Sequence, residues 1–347
     1  MYKQDMKNKI DISIITLNYQ EAALTKHLIE SLLVSEDVYY EIIVIDNSCK
    51  NEDKIILSAI KHKNVHVFFM SENLGCARGY NVGIGKARGK YVFILNNDTV
   101  IKDKMALFKM KKFMDTHKNV AVIQPKIKSF KNPKYYEYAG AAGGYIDVLG
   151  YPFCRGRIFN TLEEDNGQYD DVVEISWAST CAFFAKKSVL ERAGLFDPIY
   201  FAYAEEVDMS LKLWKMGYRV LFFPDTTVYH KGEASWKKVR GRKTFLIHRN
   251  HLILYFKCFP LKYVLPLLPY RIFLEFLSIF FYIFNKSILH IIPMGFSYLA
   301  VVVLLPKIIT KRSEFFQSGI INAPLYKGSI VFDYFVKKKK LFSDVNI

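Results

Sequence analysis

The stretch from Lys90 to Thr99, Lys-Tyr-Val-Phe-Ile-Leu-Asn-Asn-Asp-Thr, constrains the fold more than any other part of the sequence. Its run of apolar and aromatic residues predicts a strand buried on both faces, as in a parallel sheet. The strand stops at two amides and the carboxylate of Asp98. Ligands of open α/β sheets bind beyond the carboxyl ends of the strands, and a lone carboxylate between short amides suits a hard divalent cation. Asn-Asn-Asp is equally ordinary turn composition, so this stretch alone leaves both interpretations open.

Three more segments of this kind precede that strand, at residues 10–17, 41–45 and 65–70. Helical patterns lie between them, the clearest at 21–35 and 76–88. Strands that alternate with helices in this way predict an α/β fold with a right-handed, doubly wound, mostly parallel sheet. Each segment is followed by small polar residues, which are Thr16 and Asn18, then Asp46, then Asn73 and Gly75. We therefore expect the binding site at these strand ends.

Beyond Asp98 the alternation becomes less regular. We expect helices at 105–116 and 187–193 and strands at 120–123, 172–184 and 218–223, the second of these strands being interrupted around Trp177. Residues 131–171 are rich in glycine, tyrosine and charge. We interpret them as one long loop, and a loop of this length inside a compact domain is usually functional.

A second chemical signal lies at Glu205, Glu206 and Asp208, in the first turn of a predicted amphipathic helix that ends at Gly217. Carboxylates this close repel one another, which raises the pKa of at least one of them or indicates a nearby cation. Aromatic residues crowd the same segment and indicate a walled cleft. The alternative is a solvated helix start, where acidic residues interact favourably with the helix dipole.

The net charge of +16 points to nucleic acid, an anionic membrane surface or a phosphate-bearing substrate as the partner. The sequence contains no nucleic-acid-binding motif, so nucleic acid is not expected. The five cysteines form no Cys-x-x-Cys pair, which argues against a zinc site and a disulfide scaffold and fits a reducing cytosol. The polar start Met1–Lys7 predicts no signal peptide.

The composition changes near residue 258, so we predict an α/β domain at 1–257 and a membrane-associated helical region at 258–347. Residues 263–284 and 288–305 are strongly apolar, and each is close to the roughly 20 residues that a membrane-spanning helix needs. Arg271 and Glu275 would be costly at the middle of a bilayer. We therefore expect helices that lie in the membrane interface. Flanking lysines and arginines fit the anionic cytoplasmic leaflet.

Five motifs carry a resemblance, which are Ile12-Ser-Ile-Ile-Thr-Leu-Asn-Tyr, Val44-Ile-Asp-Asn-Ser, Asn73-Leu-Gly, Leu95-Asn-Asn-Asp-Thr and Phe196-Asp with Glu205-Glu-Val-Asp. Their order and spacing resemble the family 2 glycosyltransferases, inverting enzymes with the nucleotide-sugar-binding GT-A fold. The resemblance spans roughly residues 10–255. It is greatest to the branch of rhamnosyltransferases and related enzymes of cell-surface polysaccharide synthesis.

The resemblance implies a role for each residue on the donor side. Thr16 and Asn18 would line the nucleotide pocket, and Asp46 would contact the base or the ribose. The residues that would shape the donor cleft are Asn73, Gly75 and Arg78. Arg78 would also offset the charge of the pyrophosphate.

The resemblance also implies a divalent metal ion, Mg²⁺ or Mn²⁺. Asn97 and Asp98 match the end of the family's Asp-x-Asp motif, whose last Asp holds the metal on the diphosphate. Asn96 stands at the first position, so this chain has fewer carboxylates there than some relatives. His230 resembles a late histidine that completes the metal shell in some members, although a single histidine after a strand is more often structural.

Glu206 matches the catalytic base of the family, Glu205 beside it stays an alternative, and Asp208 is the third catalytic candidate. In a single inverting displacement, a carboxylate removes the proton of the attacking acceptor hydroxyl. The metal then stabilises the leaving nucleoside diphosphate as a Lewis acid. Asp98 and Glu206 would have to lie on opposite sides of the sugar, so the fold has to bring them together. Candidate contacts for the acceptor are Trp177 and Asp208.

Taken together, the resemblance implies a metal-dependent glycosyltransferase on the cytoplasmic face of the cell membrane, with a UDP- or dTDP-sugar donor and a saccharide or lipid-linked acceptor. One alternative is a nucleotidyltransferase or another nucleotide-sugar enzyme, although the basic Gly-rich loop expected after the first strand is missing. The other is a membrane-bound scaffold with a degenerate transferase domain. A Rossmann dehydrogenase is disfavoured because no Gly-x-Gly-x-x-Gly follows the first strand. The sequence carries no signal for the oligomeric state.

Overall fold

The computed structural model describes residues 10–232, 240–284, 287–316 and 322–347. The segment Met1–Lys7, predicted to contain no signal peptide, lies outside these residues. The predicted alternation begins at once, with β1 (Ile12–Asn18), α1 (Ala22–Leu32), β2 (Tyr40–Asp46), α2 (Asn51–Ser58), β3 (Val65–Phe69), α3 (Gly75–Lys86) and β4 (Tyr91–Asn96). β1, β2 and β4 are buried along almost their whole length, as their apolar runs predicted.

The second half of the main domain begins with a short strand and a helix, β5 (Thr99–Ile101) and α4 (Ala106–Thr116), followed by β6 (Val120–Ser129). Four strands of a smaller sheet come next, which are β7 (Gly144–Asp147), β8 (Pro152–Cys154), β9 (Arg157–Ile158) and β10 (Thr161–Leu162). The chain then returns with β11 (Val173–Glu174), β12 (Ala182–Lys186), α5 (Lys187–Arg192), α6 (Glu205–Lys215) and β13 (Arg219–His230).

The main sheet has nine strands in the order β11-β13-β6-β12-β4-β1-β2-β3, with β5 paired to β13. β1 to β4 run parallel to one another, and β13 runs parallel to β6. β12 is antiparallel to both of its neighbours, β4 and β6. The predicted α/β class with a mostly parallel sheet is thereby confirmed.

Successive residues of the central strands face two separate cores, because side chains alternate across a sheet. Ile15 of β1 packs in one core with Tyr80 of α3. Ile14 points to the opposite face and packs in the other core with Leu28 of α1. Helices therefore cover both faces of the sheet. The edge formed by the ends of the strands stays open and can build a site.

The register of the strands brings their polar ends to one edge. Asn18 at the end of β1 lies opposite Asp46 of β2, and Leu17 lies opposite Asn96 of β4. On the far side of the sheet, β5 pairs with the end of β13, and this pairing carries His230 to the segment that follows β4. Residues distant in sequence therefore meet at the carboxyl end of β4.

The prediction of one long loop at 131–171 is wrong, because this range contains the smaller sheet. Its strands are only two to four residues long. Gly150 and Gly156, both with a positive φ, separate successive strands. Strands this short show no clear alternation of apolar and polar residues, which is the signal that sequence reasoning needs.

Three long helices follow the main domain: α7 (Arg240–Cys258), α8 (Leu261–Phe284) and α9 (Ile291–Phe316). The stretches with α8 and α9 are long and apolar enough to cross a membrane, by length and composition. α7 packs along α9 and also contacts α6. α9 is therefore held against the α/β domain through α7.

The two charges that argued against spanning helices face inward. Arg271 is 1% exposed and its guanidinium lies 2.8 Å from the Glu275 carboxylate. Arg271 also donates to the backbone oxygen of Leu149, and Glu275 accepts hydrogen bonds from Tyr298 and Tyr151. The outer surface of α8 carries exposed apolar side chains, among them Ile272, Phe273, Phe276 and Phe280.

The chain ends by returning to the smaller sheet. β14 (Leu325–Tyr326) pairs in parallel with β7 and completes the order β10-β9-β8-β7-β14. The short helix α10 (Ile330–Phe335) follows, and the backbone N–H of Ile330 donates to Asp147 at 3.0 Å. The backbone N–H of Phe342 donates to Glu163 at 2.8 Å. Residues 322–347 are thus anchored on the α/β domain through β14, Ile330 and Phe342.

Candidate active site

A cleft of about 840 Å³, counting the space at its open mouth, lies at the carboxyl edge of the main sheet. It is bounded by the ends of β1 and β4, the start of α3 and the segment before α6. Four of the predicted donor-side residues line it, which are Asn73, Gly75, Asn97 and Asp98. The other lining residues are Leu17, Tyr19, Glu21, Asn47, Cys76, Tyr80, Asn96, Phe201, Ala202 and Arg242.

Asn18 and Asp46 lie beneath this lining and hold it in place. Asn18 donates to Asp46 Oδ1 at 2.8 Å and accepts from the Thr25 hydroxyl at 2.8 Å. Asn97 donates to the same hydroxyl at 3.1 Å, which joins the ends of β1, β2 and β4. Thr16 is completely buried and contributes no surface to the cleft. The structure does not bring it to the nucleotide pocket, because β1 continues two residues beyond it.

Gly75 couples the donor side of the cleft to the segment that leads into α6. Its φ is +72°, and a Cβ atom there would lie 2.3 Å from the backbone oxygen of Phe201. The next residue, Cys76, donates its backbone N–H to that same oxygen at 2.6 Å. Only glycine combines this conformation with so close an approach. The start of α3 is therefore fixed against residue 201.

The predicted pyrophosphate contact, Arg78, lies outside the cleft. Its guanidinium pairs with Glu72 at 3.2 Å, and both side chains are more than half exposed. The cleft instead receives Arg242 from the start of α7, whose guanidinium lies 4.5 Å from the ring centroid of Phe201. Sequence reasoning missed Arg242. The available signal was the group of basic residues that follows His230.

Asp98, His230 and Glu137 form a row of charges at the end of β4. His230 Nε2 lies 3.0 Å from Asp98 Oδ1, and its Nδ1 lies 3.2 Å from Glu137 Oε2. Burial lowers the pKa of His230, but hydrogen bonds to Asp98 and Glu137 and their charges outweigh it and raise the pKa to about 10. Glu137 was missed because it lies in the range interpreted as a loop.

The chemistry of these residues fits a divalent cation, since a carboxylate suits Mg²⁺ or Mn²⁺ and imidazole is a common metal ligand. Asp98 Oδ1 and His230 Nε2 lie 3.0 Å apart. Glu137 on the other ring nitrogen would orient the imidazole, as carboxylates do beside metal-bound histidines. In the described part of the chain, no group of three His, Cys, Asp or Glu side chains is arranged to hold an ion, so Asp98 and His230 alone would leave a cation open to further ligands.

Glu205 and Glu206 begin α6, directly after two residues with a φ of 70°, Tyr203 and Ala204. Glu205 is 2% exposed, and Oε2 of each glutamate has no hydrogen-bond partner among the residues that the structure describes. Burial raises the pKa of Glu206 to about 7. Burial and then the charge of Glu206 raise the pKa of Glu205 well above its usual range.

Glu205 and Glu206 are not among the residues that line the cleft, but they are near one of them, Cys76. After burial, the charges of both glutamates raise the pKa of the Cys76 thiol. Burial also raises the pKa of Cys154 to about 12, and the charges of Glu206 and Glu137 add to this rise. The start of α6 therefore lies within electrostatic reach of the start of α3, on the side of the cleft that Cys76 lines.

Asp208 does not reach the cleft. It is 1% exposed, lies 2.7 Å from Lys257 Nζ of α7, and accepts a hydrogen bond from the Tyr200 hydroxyl at 3.2 Å. Two helical residues turn the side chain by about 200°, so Asp208 faces away from Glu206. The predicted catalytic and acceptor-contact role of Asp208 is replaced by a buried ion pair.

Trp177, the other predicted acceptor contact, belongs to the core. Its indole N–H donates to the backbone oxygen of Tyr145 at 2.8 Å, and its ring covers Gly144 so closely that a Cβ atom there would lie 2.2 Å from it. It is 8% exposed and does not line the cleft. Its ring instead packs against β7, where the smaller sheet meets the main sheet.

Known proteins resemble this chain in sequence. A 226-residue segment covering 65% of the chain is 26% identical to poly-beta-1,6-N-acetyl-D-glucosamine synthase of Staphylococcus epidermidis, of which it covers 50%. Glycosyltransferase GlyG of Streptococcus pneumoniae is 22% identical over 227 residues, which cover 70% of that protein. A shorter segment of 92 residues is 28% identical to the succinoglycan biosynthesis protein ExoO of Rhizobium meliloti and spans 26% of it. The chain thus spans about a quarter of ExoO and half of the synthase.

The fold also has a solved counterpart. The crystal structure of GalNAc-T7 with UDP, GalNAc and Mn²⁺ superimposes with a TM-score of 0.54 at 16% identity, covering 72% of this chain and 48% of that one. The likeness identifies the sheet as GT-A type. The sequence profile of glycosyl transferase family 2 matches residues 13–190, which are 178 of the 347 residues. The match contains β1 to β4, the Asn-Asn-Asp end of β4 and β12, and on this evidence the chain belongs to glycosyl transferase family 2.

Proposed function

We propose that this protein is an inverting glycosyltransferase that transfers a sugar from a nucleoside-diphosphate donor to a saccharide or lipid-linked saccharide in cell-surface polysaccharide synthesis. The observation that supports the proposal is the presence of two groups near one cleft. Asp98, which lines the cleft, lies beside His230 at the end of β4, and the buried Glu206 lies near Cys76, another lining residue. These are the two groups that such a displacement needs.

On the donor side, the ends of β1, β2 and β4 hold the nucleoside diphosphate. Asn47 and Asn73 line the cleft above the Asn18–Asp46 pair and offer amide hydrogen bonds to the nucleoside. Arg242 places a positive charge at the same cleft, where it offsets the charge of the diphosphate. We propose a UDP-sugar or dTDP-rhamnose as the donor. The relatives support this class, since GalNAc-T7 was crystallised with UDP.

Asp98 and His230 would hold Mg²⁺ or Mn²⁺, with Glu137 fixing the histidine ring. When bound, the ion supplies Lewis-acid stabilisation of the leaving diphosphate. Metal ligation by His230 would require an unprotonated Nε2. Glu137 Oε2, 3.2 Å from Nδ1, would favour the tautomer that carries its proton on Nδ1.

On the acceptor side, Glu206 accepts the proton of the attacking hydroxyl. Its pKa of about 7 makes it a stronger base than an ordinary carboxylate while leaving much of it ionised at neutral pH. Burial and then the charge of Glu206 raise the pKa of Glu205 as well. One proton held between the two carboxyls would avoid two adjacent negative charges. We assign the base to Glu206 because its position matches the base of the family motif.

We further propose that α8 and α9 seat the enzyme on the cytoplasmic face of the cell membrane. Their outward surfaces are apolar, whereas Arg271 and Glu275 pair with each other on the inside. Because α9 packs along α7, which packs on α6, the pair of helices lies against the domain. An interfacial position keeps these contacts and brings the cleft near lipid-linked acceptors.

A donor screen tests the proposal. The full-length protein is incubated with UDP- and dTDP-sugars, with and without Mn²⁺, and release of the nucleoside diphosphate is followed. We expect release from one class of donor that depends on the metal and on Asp98. A nucleotidyltransferase would instead need added pyrophosphate and would form a nucleoside triphosphate and a sugar 1-phosphate, and a degenerate scaffold would release nothing. Either result would contradict the proposed function.

A further inference from the structure

The turn that leads into α6 has a backbone conformation that its residues do not favour. Tyr203 and Ala204 both have a φ of 70°, in the left-handed region where a Cβ atom is crowded. Residues other than glycine persist there only when their surroundings hold them. Glu205 and Glu206 follow directly, so this turn sets the direction in which both carboxylates point.

Asn250 of α7 holds this turn. Its side chain is completely buried, and its Nδ2 donates to the backbone oxygens of Ala202 and Tyr203, each at 2.7 Å. Its Oδ1 accepts from Arg249 Nε at 2.9 Å, which fixes the orientation of the amide. Both amide protons are therefore used on two successive carbonyls of the turn. A hydroxyl has only one proton to donate and an aspartate has none.

The contacts around the turn are of a different kind. Arg249 donates to the backbone oxygen of Ile199 at 3.0 Å, before the turn. Lys257 pairs with Asp208 at 2.7 Å, after it. These contacts hold the flanks of the segment against α7 but do not act on the carbonyls of residues 202 and 203. The left-handed pair itself is secured through the Asn250 amide.

We infer that Asn250 is a positioning residue for the catalytic base: by holding the Tyr203–Ala204 turn in its left-handed conformation it fixes the direction of Glu206 at the start of α6. This inference rests on the proposed function, in which Glu206 takes the proton of the acceptor. Without the amide, the turn relaxes towards negative φ and the first turn of α6 unwinds. The base then leaves hydrogen-bond reach of the hydroxyl, which general base catalysis requires.

The first test is Asn250→Ala in the full-length protein. We expect kcat to fall ten- to a hundredfold, while the donor Kd changes less than threefold because Asp98 and Asn73 lie on other elements. The acid limb of the kcat profile should move to lower pH, since Glu206 gains water. The matched control is Thr244→Val, at another buried polar residue of α7, whose hydroxyl bonds to His290. It should leave kcat and the pH profile unchanged.

The second test is rescue by glycine. Ala204→Gly removes the crowded Cβ atom, and glycine adopts a φ of 70° without strain. In the Asn250→Ala background it should restore kcat at least fivefold, because the turn no longer needs the amide. If Asn250 only filled space in the interface of α7 with the turn, glycine at 204 would enlarge the defect and lower kcat further. That outcome would overturn the inference.

Amide hydrogen exchange separates this inference from the proposed function. Asn250→Ala should speed exchange in residues 203–209, where the Asp208 N–H is bonded to Ala204 O, and leave β4 unchanged. If Glu206→Gln keeps its activity, the base assignment fails, and the exchange result still decides whether Asn250 holds the turn. Unchanged exchange at 203–209 in Asn250→Ala would overturn the inference even with Glu206 confirmed as the base.

Discussion

Lys257 of α7 and Asp208 of α6 form an ion pair, with 2.7 Å between Nζ and Oδ1, that is almost inaccessible to water. Asp197 joins the same ammonium at 2.8 Å. The two carboxylates come from either side of the segment 198–204, which includes the left-handed turn before Glu205. Lys257 of α7 thus joins the two ends of the segment that leads into α6. The ion pair with Lys257 accounts for the burial of Asp208 without any substrate contact.

Asp208→Asn should therefore destabilise the protein more than it slows transfer. It leaves the buried Lys257 with one carboxylate, and breaking a buried pair typically costs about 3 kcal/mol. Thermal unfolding followed by circular dichroism should show a lowered Tm, with kcat at 20 °C within about threefold of the wild type. Asp225→Asn, on the exposed bend of β13, is a control with no expected effect. An unchanged Tm together with a large rise in acceptor KM would restore Asp208 to the acceptor site.

Glu206→Gln should lower kcat by roughly two to four orders of magnitude, since glutamine keeps the shape but accepts no proton. Donor Kd, measured by titration with UDP or dTDP, should change little. Glu205→Gln should cost far less, because the family motif places the base at Glu206. Equal rates for Glu206→Gln and wild type, with an inactive Glu205→Gln, would move the base one residue upstream.

The same glutamates should make stability depend on pH. Glu206 has a pKa of about 7 in the folded protein and an ordinary carboxyl pKa when unfolded. The folded state therefore binds more protons in between, and its stability falls as the pH rises from about 4.5 through 7. Glu206→Gln removes this loss, so its Tm should exceed that of wild type at pH 8. The two proteins should melt alike near pH 4.5, and a gap of the same size at both pH values would refute the assignment.

Asp98→Ala should abolish metal-dependent donor binding without unfolding the protein, because the carboxylate faces His230 at the cleft. Calorimetric titration of UDP or dTDP with and without Mn²⁺ measures the effect. Arg78→Ala is the matched control, since its guanidinium lies on the outer surface with Glu72. Metal-dependent affinity that survives in Asp98→Ala would contradict the proposed metal site.

Membrane binding should depend on the outer face of α8 and α9. The double change Phe273→Glu and Val303→Glu places carboxylates on exposed apolar positions and should reduce flotation with anionic vesicles at least fivefold. Ile55→Glu, an exposed apolar residue of α2, is the matched control. Wild-type protein should be released at least in part by carbonate washing. Full retention, with protease-sensitive sites on the far side of the bilayer, would contradict the interfacial arrangement.

The elements that could be predicted from the sequence are those with an uninterrupted run of apolar residues. The run Tyr91–Leu95 has no polar residue, so only a strand covered on both faces accommodates it, and the structure confirms this. The meeting of Asp98 with the strand ends follows from the topology of such a sheet. The smaller sheet could not be found in this way, because its strands are too short to repeat a pattern.

The direction of a side chain is the second feature that could not be predicted from the sequence. Asp208 and Arg78 were placed at the cleft by their position in a motif, but a helix turns each residue by about 100° from the last, and both point elsewhere. Glu137 and Arg242 reach the site from segments with no motif. Glu137 reaches the site through its backbone bond to Ile127 of β6, and Arg242 through the packing of α7, and neither contact is encoded locally.

The return of β14 to the smaller sheet has a consequence for membrane topology. α7 and β14 both contact the α/β domain, so the segment that carries α8 and α9 leaves the domain and comes back to it. A segment tethered at both ends to one body crosses a bilayer an even number of times, whatever the depth of its helices. Reporter proteins fused before Ile10 and after Ile347 should therefore always be found in the same compartment as the cleft.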